Sequence, residues 1–395
     1  MNKERIIFHI DVNNAFLSWT AVKLLKEGYK TDIRNVSSVI GGDEARRCGI
    51  VLAKSPVAKS LGIKTAETLY SARKKSKDLL IFPPSFEFYR QRSNELFQYL
   101  SKYTPLIEIF SIDECFLDFT NTKYIYTDYL KLAYKIKDDI LKKFGYTVNI
   151  GIANNKLCAK MASDFEKPNR VHTLYFNEIK RKMWPLDVSQ LFMIGKSTTE
   201  KLKTMGINTI GDLAVYNREK LTQKFKKQAF LMSDYANGID MSEVLTAKDK
   251  NKNISTSKTF EKDIVDKDTL ENTIFNQTQF VCSELRKQKL YALTVGINIK
   301  TYDFKSYSRQ SKLNSASNST KYIYNEINSL FKKEWDGSKV RSIGVKVSNL
   351  ISNRKDQISF FETETDNDKI DYIVDFIHDK FGISAINVAS SIKKD

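Results

Sequence analysis

With 395 residues, 41% of them hydrophobic, the chain can bury several cores, two to four at about 150 residues per domain. Its 64 Lys and Arg against 47 Asp and Glu leave a net charge of +17, which favours a polyanionic partner such as nucleic acid over a neutral or basic one. The four cysteines, at 48, 115, 158 and 282, form no CxxC pair, and there are only three histidines, so the pattern argues against a Cys/His zinc centre and for a reduced, cytoplasmic setting. No stretch of about 18 uncharged apolar residues occurs and no long apolar run follows the first charges, so neither a membrane span nor a signal peptide is expected.

Residues 6–12 (IIFHIDV) form a short, nearly continuous apolar run with Asp11 at its end, the pattern of a buried strand. Asn13 and Asn14 are candidate caps for a helix over 15–26, with Phe16, Trp19, Val22 and Leu25 on its apolar face and Gly28 as its stop. A small strand-and-helix unit follows through residue 65. The spacing of Tyr89, Leu96, Phe97 and Leu100 predicts an amphipathic helix, closed by Thr104-Pro105. Strands over 106–112 and 115–119 meet at Asp113-Glu114, which places the two acids at a bend or strand edge, because neighbours inside a regular strand face opposite sides. A helix over 129–144, a strand over 147–152, a helix over 155–163 and a Lys167-Pro168-Asn169 loop complete this half.

Residues 188–214 read as a helix-hairpin-helix, whose turn aims backbone N–H groups at a DNA phosphate, although Met193 stands where one of the two usual glycines would be. A plain helical hairpin fits the same residues. The polar stretch 246–253 reads as a linker. Beyond it, strands over 254–260, 292–302 and 340–350 alternate with helices over 270–288 and 320–331, a second α+β domain. Residues 250–356 hold 20 Lys and Arg against 11 Asp and Glu, a composition suited to gripping phosphates. The Ser/Asn-rich run 311–320 is expected to be a loop, and the tail is expected to end in an amphipathic helix through Ile370, Ile373, Val374, Ile377 and Phe381.

Asp11 and the Asp113-Glu114 pair are flanked by otherwise apolar residues, where an unpaired ionised carboxylate is costly. A shared divalent cation would offset that cost, and an all-oxygen donor set suits Mg²⁺. Two such ions about 3.5–4 Å apart would stabilise both oxygens of an in-line phosphoryl transfer. The bland alternative for each acid is a helix cap or a solvated turn.

The segments IDVNNAF at 10–16, SIDE at 111–114 and NIGIANNKLCAKMASDFEKPN at 149–169 resemble the palm motifs of the Y-family, the translesion DNA polymerases, and are similar to those of bacterial DNA polymerase IV and its UmuC-like relatives. The likeness runs through nearly the whole chain. It implies an α+β multidomain, right-hand polymerase: a ferredoxin-like palm (1–13 and 75–170), small fingers (14–74), a helical thumb with the helix-hairpin-helix (171–243), a linker (244–255), an α+β little finger (256–355) and a tail (356–395). It further implies that Asp11, Asp113, Glu114 and the Val12 carbonyl hold two Mg²⁺ ions, that Phe16 is the steric gate against ribonucleotides, and that Lys167 contacts the incoming triphosphate. Primer–template DNA and dNTPs are the implied partners, for a monomer that adds nucleotides with low fidelity.

Three further points follow from the resemblance. Where relatives carry Thr, Tyr and Arg toward the triphosphate, this chain has Ala53, Pro56 and Lys59; Lys59 can still neutralise phosphate, without a bidentate fork, and Lys54 is a neighbouring cation. Gln357-Ile358-Ser359-Phe360-Phe361 resembles the pentapeptide that docks bacterial polymerases on the sliding clamp, with Gln357, Phe360 and Phe361 as anchors. Gly41-Gly42-Asp43-Glu44 looks like the start of the GGDEF signature of diguanylate cyclases, but the final Phe is absent and a chance turn is expected. The rival from another class is a non-catalytic DNA- and clamp-binding factor on a polymerase fold.

Overall fold

In the computed structural model, which describes residues 5–44, 47, 49–246, 252–352, 366–382 and 385–386, β1 (Ile7–Val12) is buried at every position. The unit built outward from it comprises residues 1–42 and 49–248; residues 43–48 and 249–395 form the other. After β1 comes α1 (Ala15–Lys26). Asn14 sits at its N-cap in the left-handed region, φ 48°, and its side chain makes no capping bond, so backbone geometry alone starts the helix. Next, β2 (Ser38–Gly41), β3 (Val51–Lys54), α2 (Pro56–Ser60), α3 (Leu69–Lys75) and β4 (Leu80–Phe82) build a small sheet in the order β3-β2-β4. Its third strand lies beyond residue 74, where the small unit was expected to end. Gly41 closes β2 where a Cβ would meet the Leu69 side chain at 2.6 Å, a packing reason for glycine there that has nothing to do with a cyclase motif.

α4 (Phe86–Leu100), β5 (Ile107–Ile109), β6 (Glu114–Asp118), α5 (Tyr129–Phe144), β7 (Val148–Ala153), α6 (Lys156–Asp164) and β8 (Val171–Leu174) complete a five-stranded sheet of order β5-β6-β1-β7-β8. α1, α4 and α5 bury their apolar stripes, among them Trp19, Leu96 and Ile136, in one core with Phe8, Ile10 and Val148. α6 packs with Ile7 and Phe116 in another core. Gly151 makes the close approach of α6 feasible, since a Cβ there would stand 2.0 Å from the Ala159 carbonyl oxygen. The short α7 (Ile179–Lys182), then α8 (Lys196–Thr204), α9 (Ile210–Val215), α10 (Arg218–Phe225) and α11 (Gln228–Ala236) share that core through Leu202, Leu213 and Leu221. Met193, at φ 72°, adopts the left-handed conformation at the position where the expected motif would carry glycine.

The second unit is a four-stranded antiparallel sheet, β11-β10-β12-β9, built from β9 (Asn253–Ile264), β10 (Tyr291–Thr301), β11 (Ser306–Ser317) and β12 (Val340–Ile351). α12 (Lys267–Lys287) and α13 (Thr320–Glu334) bury Leu270, Ile274, Ile323 and Phe331 against Val295, Ile297, Ile343 and Val345. β9 begins inside the expected 244–255 linker. The run 311–320 is corrected from loop to strand over most of its length: β11 pairs with β10 from Ser306 to Ser317. As an edge strand it buries only Leu313 deeply, so the apolar alternation that would announce it is missing, and backbone pairing decides its structure.

The tail helix α14 (Asp366–Phe381) forms as expected, and its acids make its contacts. The buried Arg286 of α12 pairs with Asp371 at 3.2 Å and Asp375 at 2.6 Å, and Lys287 pairs with Asp379 at 2.8 Å. Ile370, Ile373 and Phe376 are left exposed.

Candidate active site

A cleft of about 500 Å³ opens where the five-stranded sheet meets the small one, and its lining gathers residues distant in sequence: Asp11, Val12, Phe16, Lys54, Lys59, Asp113, Glu114 and Lys167. Sheet register explains the first juxtaposition. Asp11 is the direct partner of Glu114 across β1 and β6, so both carboxylates stand at the same end of the sheet. Asp113 occupies the bend before β6, where Ser111 Oγ donates to Asp113 Oδ1 at 2.6 Å and the Asp113 carbonyl accepts from Val12 N at 3.1 Å. The bend was legible in the sequence, and it turns the adjacent acids toward one cleft.

The electrostatics separate the three acids. Burial raises Asp11 to about 6, against the opposing pull of Lys167, whose ammonium contacts Asp11 Oδ2 and Asp164. Burial also raises Asp113. Burial pushes Glu114 the same way, but the Lys160 ammonium overcomes it and holds that carboxyl below the usual carboxylate range. Lys160 Nζ donates to Glu114 Oε1 at 2.9 Å, while His9 Nε2 stands 3.6 Å from Oε2, too far for a hydrogen bond. Ser163 Oγ donates its one proton to the Lys160 carbonyl at 2.7 Å, which leaves His9 Nδ1 as the donor in its 2.7 Å contact with the same Oγ. Among the described residues, no three His, Cys, Asp or Glu side chains are close enough together to hold a metal as they stand. Each of two carboxylates is drawn onto its own lysine. The donor set itself, three carboxylates and a backbone carbonyl, fits a hard divalent cation, and Asp113, which has no ion pair among the described residues, gives that cation a charge to neutralise.

Phe16 stacks on Tyr89, ring centroids 4.5 Å apart and planes 10° off parallel, with Phe86 edge-on, so its ring is braced from behind where it meets the cleft. Phe16 therefore both packs on the core and lines the cavity. Lys59, also in the lining, belongs to α2, whose first turn explains Pro56. Proline suits a first helical position that needs no N–H donor, and Ser55 Oγ caps the helix by accepting from Ala58 N at 3.0 Å. Lys54 donates to Thr65 Oγ1 at 2.9 Å, and burial together with the nearby Lys59 lowers its proton affinity. Gln357, Phe360 and Phe361 lie outside the described residues.

His9, Lys160 and Thr65 escaped the sequence reading. His9 had a usable signal, because i and i+2 on a strand share a face and Asp11 is its i+2 neighbour. Lys160 had a weaker one, seven residues before Lys167 on a helix packed against the sheet.

Comparison with known proteins agrees along the chain. Residues 10–164 match the impB/mucB/samB family, and residues 251–360 match the C-terminal domain of the same family. The chain is 44% identical over 393 residues to DNA polymerase IV of Clostridium acetobutylicum, covering 99% of each protein. It is 35% identical to DNA polymerase IV of Clostridium kluyveri, again over 99% of each, and 32% identical to DNA polymerase IV 2 of Bacillus subtilis, over 99% of this chain and 96% of the relative. A solved Y-family DNA polymerase chimera shares its fold, with a TM-score of 0.74 over 88% of this chain and 100% of the other, at 24% identity.

Proposed function

As a member of the impB/mucB/samB family, the Y-family DNA polymerases, this chain is a template-directed DNA polymerase of the translesion type, and we propose that Asp11, Asp113 and Glu114 carry its chemistry. The reading rests above all on the convergence of those acids with Phe16, Lys59 and Lys167 on one cleft. The reaction joins a deoxynucleoside monophosphate to a primer 3′-end and releases pyrophosphate, with a divalent metal. Two Mg²⁺ ions, held by the three carboxylates and the Val12 carbonyl, would when bound stabilise the attacking and leaving oxygens of the transfer.

The protein's own groups do the rest. Lys167, poised on Asp11, offers its ammonium to the triphosphate, and Lys59 adds a second point charge from the finger side. Phe16, backed by Tyr89, occupies the space a 2′-hydroxyl would need. Ala53 and Pro56 supply no side-chain hydrogen bond, so the hold on the nucleotide falls to the lysines, Lys54 included. Lys160 keeps Glu114 ionised.

The second unit supplies a surface for the duplex. The sheet face opposite α12 and α13 presents Ser306, Ser308, Gln310 and Lys312 from β11, Asn298 and Lys300 from β10, Ser342 and Lys346 from β12, and Ser255 and Ser257 from β9, in register. No acid interrupts this array, and small hydroxyls and amides let a phosphate backbone approach closely. The pentapeptide at Gln357, Phe360 and Phe361 is the docking peptide for a sliding clamp, anchored by one amide and two aromatics. Its triple alanine variant is expected to keep clamp-free synthesis and lose stimulation by the cognate clamp; continued full stimulation would end the docking reading.

The deciding test of the catalytic reading is primer extension by the purified chain with Mg²⁺ and four dNTPs. Template-directed extension is expected, and its absence under conditions where the protein binds primer–template would leave only a DNA-binding role.

A further inference from the structure

Asn149 lies on β7 directly across from Asp11, is fully buried, and does not line the cleft. Its carboxamide is saturated. Nδ2 donates to the Ser163 carbonyl at 3.0 Å and to the Glu166 carbonyl at 2.6 Å, while Oδ1 accepts from Asn13 Nδ2 at 3.1 Å and from Arg170 N at 3.3 Å. Two carbonyls on one side fix which end of the amide is nitrogen. Asn13, itself buried, extends the hold, since its Oδ1 accepts from Asn169 N at 2.9 Å. The loop is therefore tied at Glu166 on one side and at Asn169 and Arg170 on the other, and the residues between the ties, Lys167 and Pro168, are the ones that line the cleft.

We propose that Asn149, acting with Asn13, is a positioning residue for nucleotide binding: it brackets the loop so that the Lys167 ammonium is delivered to the triphosphate. The inference rests on the reading of Lys167 given above. A lysine has a long, flexible stem and contributes a directed charge only if its backbone is fixed, and a short loop between a helix and a strand has few contacts of its own to fix it. β7 has no need of the Asn149 side chain for its own place, because its backbone pairs with β1 on one edge and β8 on the other and Gly151 seats α6 against it. Three of the four hydrogen bonds tie Asn149 to the segment 163–170, and the fourth goes to the residue that ties Asn169. Removing the amide would strand two carbonyls and a backbone N–H in the interior around Lys167.

The test is a double-mutant cycle on single-nucleotide incorporation, with KM for dNTP and kcat measured separately. Asn149→Ser keeps a small polar group, and Asn149→Ala serves as the harsher variant; melting temperature and primer–template affinity report whether each folds, with Asn149→Ser carrying the cycle if the alanine variant does not. In the wild-type background Asn149→Ser is expected to raise KM for dNTP roughly tenfold with kcat within about threefold. In a Lys167→Ala background, whose own KM is raised, it is expected to add less than about twofold, because the bracket then has no ammonium to position. An equal rise in both backgrounds would overturn the proposal by showing a general effect on the fold, and so would an unchanged KM in Asn149→Ser. If Lys167→Ala alone leaves KM unchanged, the reading of Lys167 itself fails and takes the bracket with it, a pattern distinct from the other two.

Discussion

The cleft of the first unit and the open sheet face of the second both carry lysines, and they use them in opposite ways. Beside the acids of the cleft the lysines are matched to them, Lys160 to Glu114 and Lys167 to Asp11 and Asp164, whereas Lys54 and Lys59 of the same cleft form no ion pair among the described residues. On the open face Lys300, Lys312 and Lys346 stand among serines, asparagine and glycine, and among the described residues none of the three has an acidic partner. Paired charges are held in place and cost desolvation, which suits a site where one atom must meet another. Unpaired charges on an exposed sheet remain hydrated and free to neutralise phosphates, which suits binding without sequence preference.

The hardest way to break this comparison is to remove an acid from the cleft. Glu114→Gln and Asp113→Ala are each expected to slow primer extension by roughly a thousandfold or more, since several kcal/mol of charge stabilisation depend on them. Affinity for primer–template should stay within about threefold, because the phosphates are gripped elsewhere. If instead Glu114→Gln weakens DNA binding and leaves the incorporation rate unchanged at saturating DNA, the two regions have been assigned the wrong tasks.

Phe16→Ala tests geometry instead of charge in the same cleft. Discrimination against ribonucleotides is expected to fall by roughly a hundredfold in a competition assay, a size usual for rejecting one extra group by steric exclusion. Phe16 also stacks on Tyr89, so the melting temperature is expected to drop by a few degrees as well. A drop in stability with discrimination intact would make the residue core alone.

These two experiments concern residues that the sequence exposed readily, and the reason is local. Asp11, Asp113 and Glu114 stand out because each breaks an apolar run, and the strand that holds each one is short and strongly patterned. Of the lysines near the acids, Lys160 was the one hard to see. Lys160 is one basic residue among 64 Lys and Arg, and only the packing of α6 on the sheet brings it to Glu114. The edge strand β11 was illegible for a related reason: its order comes from backbone pairing with β10, and Ser and Asn side chains record nothing of that. The tail helix had the right period but no legible partner, because its ion pairs run through Asp371 and Asp375 to the buried Arg286, which the stripe of Ile and Phe does not announce.

On the open face, replacing Lys300, Lys312 and Lys346 together by alanine is expected to weaken primer–template binding about tenfold at low salt and to reduce the slope of log affinity against log salt by about three. Single-nucleotide incorporation at saturating DNA should be unchanged. An unaltered salt slope would mean that these lysines touch no phosphate and that the grip lies on another surface.

Arg286 supplies the control within the same unit. Like the open-face lysines it belongs to the second unit, but it is buried and paired, with Asp371, Asp375, the Asn318 carbonyl and Thr320 Oγ1 around its guanidinium. If pairing is what separates structural charge from binding charge, Arg286→Met should act on stability and leave DNA alone. Removing one member of a buried ion network costs about 3 kcal/mol when the partners are stranded, and less here to the extent that α14 can release Asp371 and Asp375 to water. A melting temperature lowered by several degrees is therefore expected, with primer–template affinity and its salt slope both unchanged. The informative failure is the reverse pattern, a reduced salt slope with an unaltered melting temperature. That result would place Arg286 among the phosphate contacts and remove pairing as the property that divides the two kinds of charge.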